Sequence, residues 1–531
     1  MGIPSYFSYI VKNHSKILRK YSDFLQSTKI NNFYLDSNSI VYDCLRKIEY
    51  TNKIDFEKKL IDDVCKKIIE YILIIKPDNT IYIAFDGVAP LAKMNQQKNR
   101  RYKSHFEKSI LQELGIYNNE TWDKTAITPG TNFMKKLNNK VQKYFKDHKK
   151  FGVNNIIISG SDIPGEGEHK LFDHIKHNKE MHKHTHTVVY GLDADLIMLA
   201  INHLPISKNI YLFRETPEFI KSIDKSLNPN ENYILDIPLL AYTLTLDLNN
   251  NKIVNNTQKK NKLYDYIFIC FLLGNDFLPH FPALNIRTNG IDKILSAYKS
   301  TIVDKNITDG ENIFWNQFRK FIQFLANNEH DFIKKEYIYR EKRERRTLPS
   351  NTNDEIMKKY LHTPLYNRGK EIFINPFEDY WEQRYYTVLF NMHPTKENIK
   401  NVCINYLEGL EWCIKYYTTG CPDWLWKYNY HYPPLLIDLI KYIPYFSTEM
   451  ILPNNHIPVS PYTQLSYILP PQSLDLLPKK ICNYLLKYRK KYYIETCEIE
   501  TSFCTYIWEA HCDFPECDIL DLESCIELLI Q

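Results

Sequence analysis

The chain has 531 residues, 44% hydrophobic and 25% charged, with a formal net charge of +5. This length carries a sizeable core and two or three domains, and the composition excludes a disordered or collagen-like chain. A charge of +5 is too small to establish a nucleic-acid partner, so the distribution of charge has to decide. The longest apolar runs, such as residues 267–273, are far too short to span a bilayer, so no membrane role is expected. The start, MGIPSYFSYI, has neither the basic segment nor the apolar run of a secretory leader. The twelve cysteines are therefore expected to be buried free thiols in a reducing compartment.

Residues 31–36 (NNFYLD) are predicted to form a strand, followed by a helix in SNSIVYDCLRKI. Residues 56–74 have helical spacing, and 80–86 (TIYIAFD) form the next strand. The chain then turns through Gly87 and Pro90 into a segment holding Lys93, Lys98, Arg100, Arg101 and Lys103, with no acid among them. Residues 132–145 are predicted helical. Residues 155–159 (NIIIS) form a short strand before the turn-rich GSDIPGEGEHK and a helix. Residues 187–190 (TVVY) form a strand, GLDADLIMLAINHL turns into a helix, and 210–213 form a further strand. Short apolar strands alternating with helices predict an α/β fold, a mostly parallel central sheet flanked by helices. The triplet His182, His184 and His186 precedes a strand in a polar stretch and is expected to be an exposed loop, not a metal cluster. Residues 249–262 are expected to be an exposed polar excursion, and 264–273 an apolar helix running into GNDFLPHFPAL. Beyond about 300 the alternation fades. The charge run at 334–346 is expected to be a solvated helix or linker, and 376–531 a second, mostly helical region.

Acids gather at or just after the predicted strand ends: Asp36, Asp86, Glu166 with Glu168, and Asp193 with Asp195, joined by Asp276 in LLGNDF. Side chains at i and i+2 of an extended segment point the same way, so Asp193 and Asp195 could face one ion. Seven carboxylates at one edge of a sheet repel unless cations neutralise them. Oxygen donors without Cys or His favour Mg²⁺ or Mn²⁺, and two such ions suit phosphodiester hydrolysis. The basic stretch after Asp86 is suited to a phosphate, through the forked donors of Arg and the point charge of Lys.

These residues carry a resemblance. MGIPSYF, FYLDSNSIVYDC, AFDGVAPLAKMNQQKNRRYKS, SGSDIPGEGEHK, YGLDADLIMLA, FLLGNDFLPHFPAL, GCPDWLWKYNYHYPPL and SPYTQLSYILPP resemble the Xrn family of 5′→3′ exoribonucleases. The resemblance covers most of 1–300 and about 405–520 and does not extend to the long C-terminal extensions of large members. It implies a nuclease core of the flap-nuclease (PIN) kind at 1–300, a helical, charged connecting region at 301–400, and a helical region at 401–531 that completes the active-site channel. It further implies processive hydrolysis of single-stranded RNA with a 5′-monophosphate, releasing mononucleotides in the decay of decapped transcripts. Two Mg²⁺ or Mn²⁺ ions, a decapping enzyme as partner, a monomeric state and a cytoplasmic or nuclear location go with that expectation. The family's seven metal-site acids fall onto Asp36, Asp86, Glu166, Glu168, Asp193, Asp195 and Asp276, all acidic here. Its 5′-phosphate pocket falls onto Lys93, Gln97, Arg100 and Arg101, which leaves Lys98 and Lys103 to a solvated face or to backbone phosphates. Where the family has Gly and His after the first acid, this chain has Ser39 and Tyr42. Tyr42 can still stack on a leading base, against Trp424 or Trp426. Two other readings are weighed against this one. A flap-type DNA nuclease would share the acids but lack KMNQQKNRR, and a non-catalytic RNA-end-binding scaffold would not need intact acids.

Overall fold

The computed structural model describes residues 3–530 except 51, 117–121, 192, 216–224, 226, 229–230, 254, 304, 453 and 455. Met1 and Gly2 of MGIPSYF, and Leu192 of YGLDADLIMLA, lie outside the described residues.

Seven strands join in one sheet: β1 (Leu18–Lys20), β2 (Asn32–Asp36), β3 (Thr80–Ala84), β4 (Asn155–Ser159), β5 (Thr187–Tyr190), β6 (Ile210–Arg214) and β7 (Tyr233–Asp236). Their spatial order is β1-β7-β6-β5-β2-β3-β4. Strands β2 to β6 pair in parallel, while β7 and β1 add antiparallel at one edge. All five predicted strands form. β1 and β7 were not expected: Arg19 and Lys20 make the three-residue β1 polar, and β7 runs directly into a helix at Ile237 with no turn between them.

Strands β2, β3 and β5 are buried on both faces, which is why they read as continuous apolar runs. Alternation sends Tyr34, Tyr82 and Val189 to one core, and Phe33, Leu35, Ile81, Ile83 and Val188 to the other. The chain winds from β2 through β3 to β4 in one direction and from β5 to β6 in the other. The winding therefore reverses between β2 and β5. The loops diverge there and leave a crevice beyond the carboxyl ends.

The helices that matter to the site are α1 (Asn38–Leu45), α2 (Lys53–Ile75), α3 (Leu91–Glu113), α4 (Gly167–His177), α5 (Asp195–His203), α6 (Asn256–Cys270), α7 (Trp315–Glu344), α8 (Lys396–Thr418) and α9 (Pro461–Ile468). The larger core runs without a break past residue 300: Tyr298, Phe318, Trp412 and Leu439 share it with the sheet. No helix of the described residues is long and apolar enough to cross a membrane. All twelve cysteines are free; Cys504 and Cys512 are buried, while Cys482, Cys497, Cys517 and Cys525 are partly exposed.

Three local expectations are corrected. The polar 249–262 stretch is not wholly an excursion. Asn255 and Gln258 form a capping box, so α6 starts two turns before residue 264, and Lys262 is already buried. The charge run at 334–346 is not a solvated helix or linker throughout. As the end of α7 it turns Glu336, Tyr337 and Arg340 inward and leaves Glu341, Lys342, Arg345 and Arg346 exposed. Counting charges missed the helical period that separates these two faces. His182 is not in an exposed loop either. It is buried, its Nε2 lies 3.0 Å from the Tyr34 hydroxyl and its Nδ1 lies 3.1 Å from Thr187 Oγ1. Burial holds its imidazole down at about 4, so it is neutral at pH 7. Only His184 of the triplet is fully exposed, because His186 stacks on Tyr211.

Candidate active site

The crevice collects the predicted acids. Asp36 is the last residue of β2, Asp86 follows β3 by two residues, and Glu166 and Glu168 open α4. Asp193 lies in the loop after β5, Asp195 begins α5, and Asp276 follows the turn after α6. The parallel register puts Asp36 beside Ala84 and so brings the ends of β2 and β3 level.

Asp86, Glu166 and Asp276 have holders. Asp86 Oδ1 accepts the Gly167 N–H at 2.7 Å, and its Oδ2 accepts the Asn38 side-chain amide. A Cβ on Gly167 would come within 2.8 Å of Asp36 Oδ1 and 3.3 Å of Asp86 Oδ1, so only glycine lets α4 start this close to both acids. Glu166 Oε1 accepts the Tyr416 hydroxyl at 2.8 Å. Tyr416, on α8, is itself stacked between His169 and Trp412 at centroid distances of 3.8 and 4.7 Å. Lys93 Nζ, from α3, lies 2.5 Å from Glu166 Oε2 and 2.7 Å from Asp276 Oδ2.

The charge balance is strained in the way seven acids require. Burial, then repulsion from neighbouring carboxylates, pushes Asp36 and Glu168 well above the usual carboxylate range. Burial, reinforced by Asp276, lifts Asp195 to about 7, and burial raises Asp86 although the Gly167 N–H works against it. Asp276 goes the other way: it is buried, but Lys93 holds it low. Lys93 is likewise kept charged, because Asp276 and Glu166 outweigh its desolvation. Asp36 Oδ1, Glu168 Oε2 and Asp195 Oδ1 are buried with no hydrogen-bond partner. Orphaned carboxylate oxygens among hard donors fit a divalent cation of the Mg²⁺ or Mn²⁺ kind. The acids remain splayed, however. Among the described residues, the only set of three such groups drawn within 4.8 Å of one another is Glu498, Glu500 and Asp513. That set flanks the small hairpin of β8 (Ile499–Glu500) and β9 (His511–Cys512), with Glu500 paired to Lys370 and Asp513 to His431.

The basic stretch is the helix α3, entered from Pro90. Lys93, Gln97, Arg100 and Arg101 fall at i, i+4, i+7 and i+8, on one side of it. Gln97 is buried against Gln464 of α9, whose Oε1 also accepts the Ala89 N–H. Arg101 is buried and donates to Thr128 Oγ1 at 2.7 Å, whereas Arg100 is exposed. Lys98 and Lys103 are not on a solvated face. Lys98 is buried against the rings of Tyr467 and Phe514, and Lys103 Nζ donates to the Trp508 carbonyl at 2.7 Å and to that of Ala510. Both lysines fasten α3 to the C-terminal segments, because their stems can cover apolar surface while the heads find partners.

Tyr42, on α1, is half-buried and lies near Arg101, whose guanidinium burial brings down to about 10. Trp424 and Trp426 separate clearly. Trp426 is a core residue: its ring stacks on Trp412 at 5.3 Å and covers Gly409, so its assignment to base stacking is withdrawn. Trp424 is partly exposed, and its carbonyl accepts the N–H of Leu91 at 2.8 Å, at the start of α3. Asn38, Tyr416 and Gln464 were missed as supports of the site. Asn38 sits in FYLDSNSIVYDC, two residues after Asp36, but no local pattern in α8 or α9 marks Tyr416 or Gln464 as the partner of residues 250 or more positions away.

Fold and site together define the class: an α/β protein with a carboxylate-lined crevice at the reversal of a parallel sheet, faced by a basic helix. Residues 1–216 match the family model described as XRN 5'-3' exonuclease N-terminus, and residues 257–372 and 374–524 match the Xrn1 helical domain. The chain therefore belongs to the Xrn family. It is 28% identical to 5'-3' exoribonuclease 1 of Saccharomyces cerevisiae, over 90% of this chain and 40% of that protein. It is 27% identical to the human 5'-3' exoribonuclease 1, over 90% and 31%. With the 5'-3' exoribonuclease 2 homolog of Drosophila melanogaster it shares 25% identity, over 90% and 65%. The chain thus spans less than two thirds of the length of these relatives. Among solved structures, the catalytic core of Rad2 in complex with DNA substrate aligns with a TM-score of 0.32 at 14% identity, over 63% of this chain and 78% of that one. That likeness is too slight to bear on the fold.

Proposed function

We propose that this protein is a processive 5′→3′ exoribonuclease. It hydrolyses single-stranded RNA with a 5′-monophosphate and releases mononucleotides. The observation that carries the reading is the meeting of α3 with the acids: Lys93 joins the basic face of that helix to Glu166 and Asp276. A terminal phosphate held along this face would lie beside the acids. Family membership supports RNA as substrate, since the matched relatives are named exoribonucleases. Two divalent cations, when bound, would supply a hydroxide nucleophile and stabilise the leaving oxygen. The chain's own groups do the rest. Asn38, Gly167 and Tyr416 orient the carboxylates, Arg100 receives the phosphate, and Tyr42 with Trp424 stacks the leading bases. Such RNA ends are supplied by a decapping reaction, and we place the enzyme in the cytoplasm as a monomer.

The test is digestion of one RNA carrying a 5′-monophosphate, 5′-hydroxyl, triphosphate or cap, with and without Mg²⁺. Rapid loss of the monophosphate form alone, in Mg²⁺ alone, is the expected result. Equal digestion of all four, or cleavage only of branched DNA, would overturn the reading.

Two variants probe the parts. Arg100→Ala should lower the preference for monophosphate over hydroxyl ends by about 10-fold or more, one charge-assisted contact being worth roughly 1.5–3 kcal/mol. Its thermal stability should stay at the wild-type value, because the side chain is exposed. An unchanged preference in a competition digest would remove Arg100 from the pocket. Tyr42→Ala should stall on hairpin-containing RNA and spare short single strands, and Tyr42→His should restore activity because imidazole also stacks, stacking being worth about 1–3 kcal/mol per base. Wild-type ladders of intermediates from Tyr42→Ala would show that Tyr42 only packs α1.

A further inference from the structure

Residues 477–494 (LPKKICNYLLKYRKKYYI) hold five lysines, one arginine and four tyrosines, and no acid. The charge run at 334–346 differs in kind, because its Glu341 and Glu344 pair with Arg345 and Arg368. The acid-free stretch folds as α10 (Lys479–Tyr488) and the turn Lys490–Tyr492. Ile481 and Leu485 face inward and pack with Ile519, Leu522 and Ile526 of the last helix. Lys480, Tyr484, Lys487 and Tyr488, at i, i+4, i+7 and i+8, share the flank beside that buried stripe. Lys479, Lys480, Lys487, Lys490 and Lys491 are exposed. Among the described residues none of these five forms an ion pair, whereas Arg489 is paired with Asp521. The tyrosines lie among the cations: Lys487 Nζ is 4.9 Å from the ring centre of Tyr488, and Lys491 Nζ is 5.0 Å from that of Tyr492. Tyr488 is 61% exposed, so its ring is open to a planar partner.

Two contacts join this face to the proposed base-stacking pair. Leu476, three residues before Lys479, packs against the same core as Tyr42 and also against the cluster beneath α10. That cluster receives Leu425, the neighbour of Trp424, and Leu91 and Met94 at the start of α3. Unpaired ammonium groups crowded on one segment repel each other and are relieved by a polyanion, whose counterions they release. Tyrosines set among them meet the π-faces of unpaired bases, which a duplex does not present. A lipid surface would call for an apolar flank, but the only exposed aliphatic residue of α10 is Leu486.

We propose that the outer face of α10 and the Lys490–Tyr492 turn is a second RNA-binding surface. It takes single-stranded RNA on the 3′ side of Tyr42 and Trp424, with its lysines on the phosphates and Tyr488 against a base. The inference rests on the exoribonuclease reading above and adds a hold on the strand outside the acid crevice. RNA kept on this face stays with the protein while each 5′ nucleotide departs.

The experiment measures binding of the full chain in EDTA, so that nothing is digested. The probes are a 5′-monophosphorylated uridine tetranucleotide and a 5′-monophosphorylated oligouridine of about 30 nucleotides, longer than a single binding site. Each carries a 3′ fluorophore and is followed by anisotropy over a range of salt. Lys480→Gln, Lys487→Gln, Lys490→Gln and Lys491→Gln, made together, should weaken the long RNA by about 10-fold or more and lower its log–log salt slope by about 2–3. The tetranucleotide should keep its wild-type affinity. Tyr488→Ala should weaken the long RNA by about 5-fold or more and leave the salt slope as it is. A control that removes the same charge from exposed positions elsewhere, Lys58→Gln, Lys59→Gln, Lys143→Gln and Lys146→Gln, should bind the long RNA as the wild type does. Unchanged affinity for the long RNA in the lysine variant or in Tyr488→Ala would overturn the proposal, as would an equal loss in the control or on the tetranucleotide. Wild-type RNA binding by the lysine variant, with lost binding to phosphatidylserine vesicles, would overturn it in favour of a lipid surface. Tyr488→Ala alters one exposed ring, so it decides even if the fourfold variant does not fold. Failure of the exoribonuclease reading would appear separately, in the digestion of the four RNA ends.

Discussion

Asp195→Asn and, independently, Asp193→Asn should lose RNA hydrolysis by on the order of 10³-fold or more and still bind RNA within a few-fold of the wild type. Asp195 has a buried oxygen without a partner, and burial beside Asp276 raises its pKa to about 7. Such an oxygen needs a partner, and among so many other carboxylates a cation is the partner that fits. Replacing it by a neutral amide keeps the shape and removes the charge. RNA affinity draws mainly on phosphate contacts along the chain's path, which these changes do not touch. Single-turnover digestion and filter binding on the same preparations make the comparison. Near wild-type rates from both variants would dissolve the metal-site assignment, and equal loss of binding and hydrolysis would point to misfolding.

The second large effect concerns stability and lies far from the acids. Glu371 is fully buried and accepts from Arg340 Nε and Nη2 at 2.9 and 2.7 Å, from Arg368 Nε at 2.7 Å and from the Phe503 N–H at 2.8 Å. Arg340 is 1% exposed and also donates to the Cys504 carbonyl. Removing one partner of a buried pair strands the other charge, at a cost of about 3–5 kcal/mol. Glu371→Ala should therefore lower the urea midpoint markedly. Arg345→Ala, which removes an exposed i,i+4 pair with Glu341, should change stability by no more than about 0.5 kcal/mol. Tryptophan fluorescence during urea unfolding distinguishes the two, and a Glu371→Ala protein as stable as the wild type would show that this network does not tie α7 to the C-terminal segments.

Strands β2, β3 and β5 were legible because strands buried on both faces have to be apolar throughout, and β2 to β5 were each followed by a turn and a helix. The acids were legible against the same background: a carboxylate closing an apolar strand is costly to bury, so it stands out as a group that needs a cation. The extent of α3 was not legible, since KMNQQKNRRYKS is polar on most sides and shows no apolar stripe. Its polar groups are buried by distant segments: Gln97 by Gln464, Asn99 by the Cys512 N–H, and Lys103 by the Trp508 carbonyl. Long-range partners of that kind leave no local pattern. The same holds for Tyr416, which comes from α8 to hold Glu166. Misreadings of His182 and of 334–346 arose where polar residues were taken as exposed without asking whether a partner could meet them. Arg340 meets Glu371, and His182 meets Tyr34.

The most direct measurement uses one RNA labelled on its 5′-phosphate, incubated with the protein in Mg²⁺ and sampled from the first seconds. The label should appear at once as a mononucleotide, before any shortened labelled fragment is seen, and chelation of Mg²⁺ should stop its release. Label retained on the full-length RNA, or first appearing in oligonucleotides cut from within, would contradict hydrolysis from a 5′-monophosphate end.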